Sequence, residues 1–261
     1  MEIRLTGRSA LITGGSQGLG RAMGAVFSRA GAAVGLVARR AEVLTEARAE
    51  IQTAVPGARV EIFPCDVSNG AQVREMFARA VDTLGPVDIL VNNAGTARTG
   101  SFLEITDADW QADLELKLFA AVRLCRLALP GMQARRWGRI INVLNTGAKA
   151  PTAGGAPTEV SRAAGMALTK VLAGEMAPHN VLVNALCTGQ IISEQWRRRH
   201  AKDGGGKSFE DWVAERGKKI PLGRFGEAEE FANMACFLAS DAASYITGTA
   251  INVDGGRSPV V

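Results

Sequence analysis

The chain has a single tyrosine, Tyr245, so any chemistry that needs a phenol rests on that one residue. Its surroundings, Ser244-Tyr-Ile-Thr-Gly248 next to the last apolar run, read as structural. Two histidines and no H-E-x-x-H pattern speak against a structural or catalytic zinc, and no metal is expected. The four cysteines (Cys65, Cys125, Cys187, Cys236) are scattered, with no C-x-x-C, which excludes a disulfide framework or thiol redox pair. They read as reduced, buried, small apolar side chains. No apolar run approaches the roughly 18–20 residues that cross a bilayer. The N-terminus enters a strand almost at once, where neither a signal nor a transit peptide fits, so the expected location is cytoplasmic. The net charge is +4, but the basic residues are dispersed apart from Arg135-Arg136, Arg197-Arg198-Arg199 and Lys218-Lys219. Without aromatic interleaving or a recognition motif, nucleic-acid binding is not expected.

What is present is the composition of a globule: 261 residues, 47% hydrophobic and 21% charged. Short apolar runs at 10–13, 33–38, 60–63, 89–91, 140–143, 181–184 and 250–253 alternate with helix-period segments near 18–30, 41–54, 69–84, 107–133, 159–177 and 227–239. Nearly continuous apolar strands between helices mean a parallel sheet covered on both faces. The expected fold is a single-domain α/β, doubly wound, Rossmann-type parallel sheet of about seven strands, spanning 1–261. Residues 190–219 hold the one composition break, polar and basic with Gly204-Gly205-Gly206, and read as a mobile excursion on the substrate side.

Thr13-Gly-Gly-Ser16-Gln17-Gly18-Leu19-Gly20 follows the first strand and opens the first helix. Gly14 permits a tight turn, Gly18 lets the backbone approach a pyrophosphate, and Gly20 allows close helix–strand packing. The helix N-terminus adds N–H groups and a positive dipole. At the end of the second strand stand Arg39 and Arg40, with no acid to bind a ribose 2′-hydroxyl. Cations there suit a 2′-phosphate, so NADP(H) is expected over NAD(H), the alternative being two solvated arginines at a helix start.

With these features the sequence resembles the short-chain dehydrogenase/reductase family over nearly its whole length. The resemblance extends through Asp66 and Val67 in Cys65-Asp-Val67, Asn92-Asn93-Ala94-Gly95, Pro221-Leu-Gly-Arg-Phe-Gly226 and Ile246-Thr-Gly-Thr-Ala-Ile-Asn-Val-Asp-Gly-Gly256. It implies cofactor contacts from Gly14, Ser16, Gln17, Gly18, Leu19, Gly20, Asp66, Val67, Asn93, Ala94, Gly95, Gly189 and Ile191. It also implies a small-molecule substrate and a homodimer or homotetramer, with a hetero-oligomer of paralogues open.

Family members use an Asn, Ser, Tyr, Lys tetrad with tyrosine as the acid/base. The matching positions here are Lys117, Asn145, Thr158 and Arg162, so all four differ. The Pro-Gly usual after the sixth strand is Thr188-Gly189. An alkyl hydroxyl ionises far above a phenol's ~10, so Thr158 cannot itself serve as the acid. Arg162 keeps a positive charge and can bond ribose hydroxyls, or else reach solvent or pair with Glu159. Lys117 sits on an apolar stripe (Leu114, Ala120, Ala121, Leu124); it either pairs with Asp113 or projects into the cleft as a donor. Asn145 could bond a carbonyl or serve a turn, Glu159 should face away from Thr158, and His200 could swing in as an acid. The Arg197–His200 run suits a phosphate or carboxylate, or is a solvated helix face. Two functions are open. One is a divergent NADP(H)-dependent oxidoreductase acting on a carbonyl/alcohol or activated double bond through a non-standard proton donor. The other is an inactive dinucleotide-binding subunit that partners an active homologue or acts as a sensor.

Overall fold

The structure is a computed structural model, and residues 3–261 are described. Seven strands form one all-parallel sheet: β1 (Ser9–Thr13), β2 (Ala33–Ala38), β3 (Val60–Pro64), β4 (Ile89–Asn92), β5 (Gly138–Asn145), β6 (Val181–Thr188) and β7 (Ala250–Val253). The order is β3-β2-β1-β4-β5-β6-β7, so the winding reverses between β1 and β4. In open sheets of this kind, ligands bind outside the carboxyl ends of the strands at that reversal.

The helices are α1 (Gly18–Arg29), α2 (Ala41–Ala54), α3 (Gly70–Leu84), α4 (Asp107–Leu114), α5 (Ala120–Arg135), α6 (Thr158–Met176), α7 (Glu194–Asp203), α8 (Phe209–Gly217) and α9 (Ala228–Ala239). One core packs α1, α2 and α9 on a face of the sheet through Phe27, Leu44, Ile51 and Phe231. A second packs α3 and α5 on the other through Val73, Met76, Phe77, Leu124 and Leu129. Apolar residues on both sides of the strands supply the two cores, which is why the strands read as unbroken runs. No helix among the described residues is long and apolar enough to cross a membrane.

Two segments depart from the sequence expectation. The helix expected over 107–133 is broken by a π-helical turn at Glu115–Phe119, where the Ala120 N–H donates to the Glu115 carbonyl, five residues back. Such single turns alter which side chains face inward, and Lys117 lies at the centre of this one. The 190–219 excursion contains α7 and α8. Their polar composition hid them, and aromatic contacts hold them: Trp196 lies 4.9 Å from Phe225 and 6.1 Å from Trp212 between ring centroids. Trp212 is buried beneath them.

Candidate active site

A cavity of about 900 Å³ opens at the reversal point. One end is built on the β1–α1 turn. Gly14 and Gly18 hold φ of +64° and +52°, the left-handed region open to glycine at little cost. A Cβ on Gly14 would lie 2.8 Å from the Asn93 amide nitrogen, whereas one on Gly18 would meet nothing nearer than Ser193 at 3.6 Å. Substitution at Gly18 would therefore occupy the cavity itself. Gly20 lies behind this wall, where any Cβ would strike the Gly14 carbonyl. Helix α1 carries no side-chain cap from Gln17 and no acid in its first turn, so its positive end is left for an anion. Ser16 and Leu19 line the same turn.

The rim beyond it carries Arg39 and Arg40, both exposed, with side chains that have no hydrogen-bond or ion-pair partner among the described residues. Asp66 and Val67 form the next wall, and Asp66 Oδ1 accepts from the Ser68 N–H at 3.0 Å and hydroxyl at 2.6 Å. The Asn93 side chain is committed to the fold: its Nδ2 donates to the carbonyls of Thr13 (2.9 Å) and Gly14 (3.3 Å). Asn93 thus clamps the glycine turn to the end of β4 while Ala94 and Gly95 face the cavity. Gly189 follows β6, and a Cβ there would meet Asp254 at 2.5 Å; Ile191, buried, completes that wall. A glycine cradle, an open helix N-terminus and unpaired arginines together fit a phosphorylated dinucleotide.

The other end of the cavity is lined by Asn145, Thr158, Glu159 and Arg162. Asn145 ends β5, and its buried Oδ1 has no hydrogen-bond partner. Arg162 is half-buried in the cavity wall and does not pair with Glu159. Its Nη1 donates to the Val143 carbonyl, and its Nη2 lies 2.5 Å from where a Gly95 Cβ would be. Burial lowers this guanidinium, with Asp113 opposing, to about 10, so it stays charged at neutral pH.

Glu159 was expected to face away from Thr158, yet it lines the same cavity. Both residues belong to the first turn of α6 and both line the cavity. Glu159 Oε2 accepts from the Thr152 N–H at 2.6 Å.

Lys117 does not line the cavity. Its ammonium pairs with Asp113, one turn back, and donates to Thr158 Oγ1 at 2.8 Å. Asp113 Oδ2 in turn accepts from the Ser161 hydroxyl at 2.6 Å. Desolvation pulls the lysine down to about 8; the Asp113 bond opposes this, and the positive Arg162 adds to it. The Thr158 hydroxyl accepts from the Arg98 N–H at 2.9 Å and donates to the Arg98 carbonyl at 2.7 Å. That carbonyl also takes the Thr158 N–H at 3.3 Å.

Ser161 and the Arg98 backbone were not read from sequence. Ser161 follows Thr158 by three positions on one helix face, a signal that only an acid opposite it makes meaningful. His200 does not line the cavity: it stands between Phe209 and Trp212, with Nε2 at 2.9 Å from the Lys207 carbonyl. Tyr245 is fully exposed and does not line the cavity.

The family model described as enoyl-(acyl carrier protein) reductase matches residues 14–258. Nodulation protein G of Rhizobium sp. (strain N33) is 38% identical over 256 residues, covering 98% of this chain and 99% of that protein. The crystal structure of L-sorbose reductase from Gluconobacter frateurii, complexed with NADPH and L-sorbose, is 35% identical. It has a TM-score of 0.94 and covers 100% of both chains. The NADPH-bound short chain oxidoreductase of Pseudomonas aeruginosa PAO1, described as containing an atypical catalytic center, is 38% identical. Its TM-score is 0.91, covering 99% of both chains. With this fold, this cavity and these relatives, the chain belongs to the short-chain dehydrogenase/reductase family.

Proposed function

We propose that this protein is an NADP(H)-dependent oxidoreductase acting on a carbonyl/alcohol or an activated double bond, without a tyrosine as proton donor. The observation that carries this reading is the continuity of the cavity. One space of about 900 Å³ joins the glycine turn and Arg39–Arg40 to Asn145, Thr158 and Arg162, a size in the range of cofactor sites. A bound dinucleotide supplies or accepts the hydride. NADP(H) is favoured by the unpaired Arg39 and Arg40, which can bond a 2′-phosphate, and by the NADPH that two related structures contain.

The protein's part is positioning and charge. The Asn145 amide orients the substrate oxygen. Arg162 keeps a positive charge beneath the site, where negative charge grows on that oxygen during reduction. Lys117, Asn145, Thr158 and Arg162 stand at the four family tetrad positions, and the Pseudomonas relative carries a description of the same kind. Assembly as a homodimer or homotetramer belongs to this reading, supported by Phe119, Val160 and Val171 exposed at the start of α5 and along α6.

A second reading is a dinucleotide-binding subunit that turns nothing over. The engagement of the Thr158 hydroxyl with Arg98 and Lys117 favours it. The two are separated by titrating the purified protein with NADPH and NADH, then following NADPH oxidation across ketones, aldehydes and enones. Substrate-dependent oxidation establishes the oxidoreductase; saturable NADPH binding with none across all three classes establishes the silent subunit.

A further inference from the structure

Resting on the oxidoreductase reading, a proton source can be assigned that the family tetrad does not contain. Three observations bear on it. Lys117 has a side chain 1% exposed and donates to the Thr158 hydroxyl, and Thr158 is one of the residues that line the cavity. The Thr158 hydroxyl can turn without leaving a buried acceptor bare, because the Arg98 carbonyl keeps the Thr158 N–H as a partner. The Asp113 carboxylate, fixed by Ser161, stays beside Lys117 whichever way its proton moves.

We propose that Lys117 is the proton reservoir of the active site and that the Thr158 hydroxyl carries its proton to the substrate oxygen. In the reductive direction the carbonyl carbon gains a hydride and the dinucleotide is oxidised. The Thr158 O–H bond breaks as the substrate O–H forms, and a Lys117 N–H bond breaks as a new Thr158 O–H forms. The threonine is never left ionised, which removes the objection to an alkyl hydroxyl as acid. Lys117 is left as a neutral amine against Asp113 and takes a proton back from water through the same hydroxyl after product leaves. Oxidation of an alcohol runs the same steps backwards. Lys117 acts through Thr158 and is a positioning and supplying residue; of the two, Thr158 is the one that touches the substrate.

The groups facing Lys117 are Asp113 from α4, Thr158, Ser161 and Arg162 from α6, and Arg98 from the segment after β4. Lysine held near 8 between them can give up and regain a proton near neutral pH, as an ordinary lysine at 10.5 cannot.

The test compares wild type with Thr158→Ser, Thr158→Val, Lys117→Arg and Lys117→Met. Each is first titrated with NADPH, following the fluorescence of Trp196 in the cavity wall. Turnover is then measured against pH with a carbonyl substrate. Thr158→Ser is expected to keep turnover and its fall above about pH 8. Thr158→Val and Lys117→Met are expected to bind NADPH but lose kcat by roughly 10²-fold or more. Lys117→Arg keeps the charge and is expected to lose kcat, since guanidinium does not release its proton. Carbon-13 NMR of labelled lysine supplies a readout without cofactor: a resonance titrating near 8 that is absent in Lys117→Arg and shifts in Thr158→Val. Turnover that survives Thr158→Val, or a Lys117 resonance titrating at the ordinary value, overturns the relay alone. Failure of wild type to bind NADPH, or binding with no turnover, overturns the oxidoreductase reading and the relay with it.

Discussion

Asp113 and Lys117 meet one turn apart as an ion pair whose side chains are 2% and 1% exposed. Their helix would be expected to bury only apolar side chains on this face. A pair this deep contributes little net stability, but either partner alone is costly. Asp113→Ala leaves the Lys117 ammonium beside Arg162 and Arg98 with no counter-charge. The expected loss is about 3–5 kcal/mol in urea unfolding. Replacing both residues, as Asp113→Leu with Lys117→Met, is expected to lose less than the two single changes added together. Additivity of the single changes would mean that the pair is not coupled.

The same lysine leaves a signature in the pH dependence of stability. Folding lowers its pKa from 10.5 to about 8. Between those values the unfolded chain holds a proton that the folded chain has released, so this group makes stability rise with pH across that window. Below about 8 both states are protonated and the effect is flat. Urea midpoints of wild type relative to Lys117→Met are expected to climb from about pH 8 towards 10.5. A constant difference across the window would rule out a depressed lysine.

The glycine turn separates binding from folding. At Gly18 an added Cβ points into open cavity, at a φ of +52°. Gly18→Ala is expected to fold, at a cost of about 1 kcal/mol for the left-handed backbone, and to lose NADPH binding. Gly20→Ala drives a methyl against the Gly14 carbonyl and is expected to damage the fold itself. Thermal melts with NADPH titrations check both, and a Gly18→Ala variant binding as wild type would move the phosphate site elsewhere.

The proposed preference for NADPH rests on Arg39 and Arg40. Replacing both with serine is expected to weaken NADPH binding about tenfold or more, from loss of charge-assisted bonds, while NADH binding changes little. Equal weakening of both cofactors would show that these arginines do not face a 2′-phosphate.

Much of this was legible in the sequence. Apolar runs alternating with helical periods located every strand, because a parallel sheet buries both strand faces. The expected strands stopped short at Val143 and Asn184, yet β5 runs on through Leu144 to Asn145 and β6 through Ala185-Leu186-Cys187 to Thr188. Inside them, Asn142 donates to Thr169 at 2.9 Å and accepts from Asn92 at 2.8 Å, and Asn184 donates to the Ile246 carbonyl at 2.8 Å. Buried amides whose partners lie on α6, on β4 and in the segment before β7 have no local signal. Helix α7 escaped for the opposite reason: nearly all its residues are polar, and it is tied down by Trp196 against Trp212 and Phe225 and by His200 against Trp212. At the site, the residues of the glycine turn follow one another along the chain, so that their spacing carries a local signal. The links among Lys117, Asp113, Thr158, Ser161 and Arg98 join three segments, and only the fold brings them together.

Equilibrium titration with NADPH and NADH, read through Trp196, bears most directly on whether this cavity holds a dinucleotide. Saturable binding with NADPH at least about tenfold tighter than NADH is expected, that ratio being about 1.4 kcal/mol. No saturable signal with either nucleotide, or tighter binding of NADH, would contradict it.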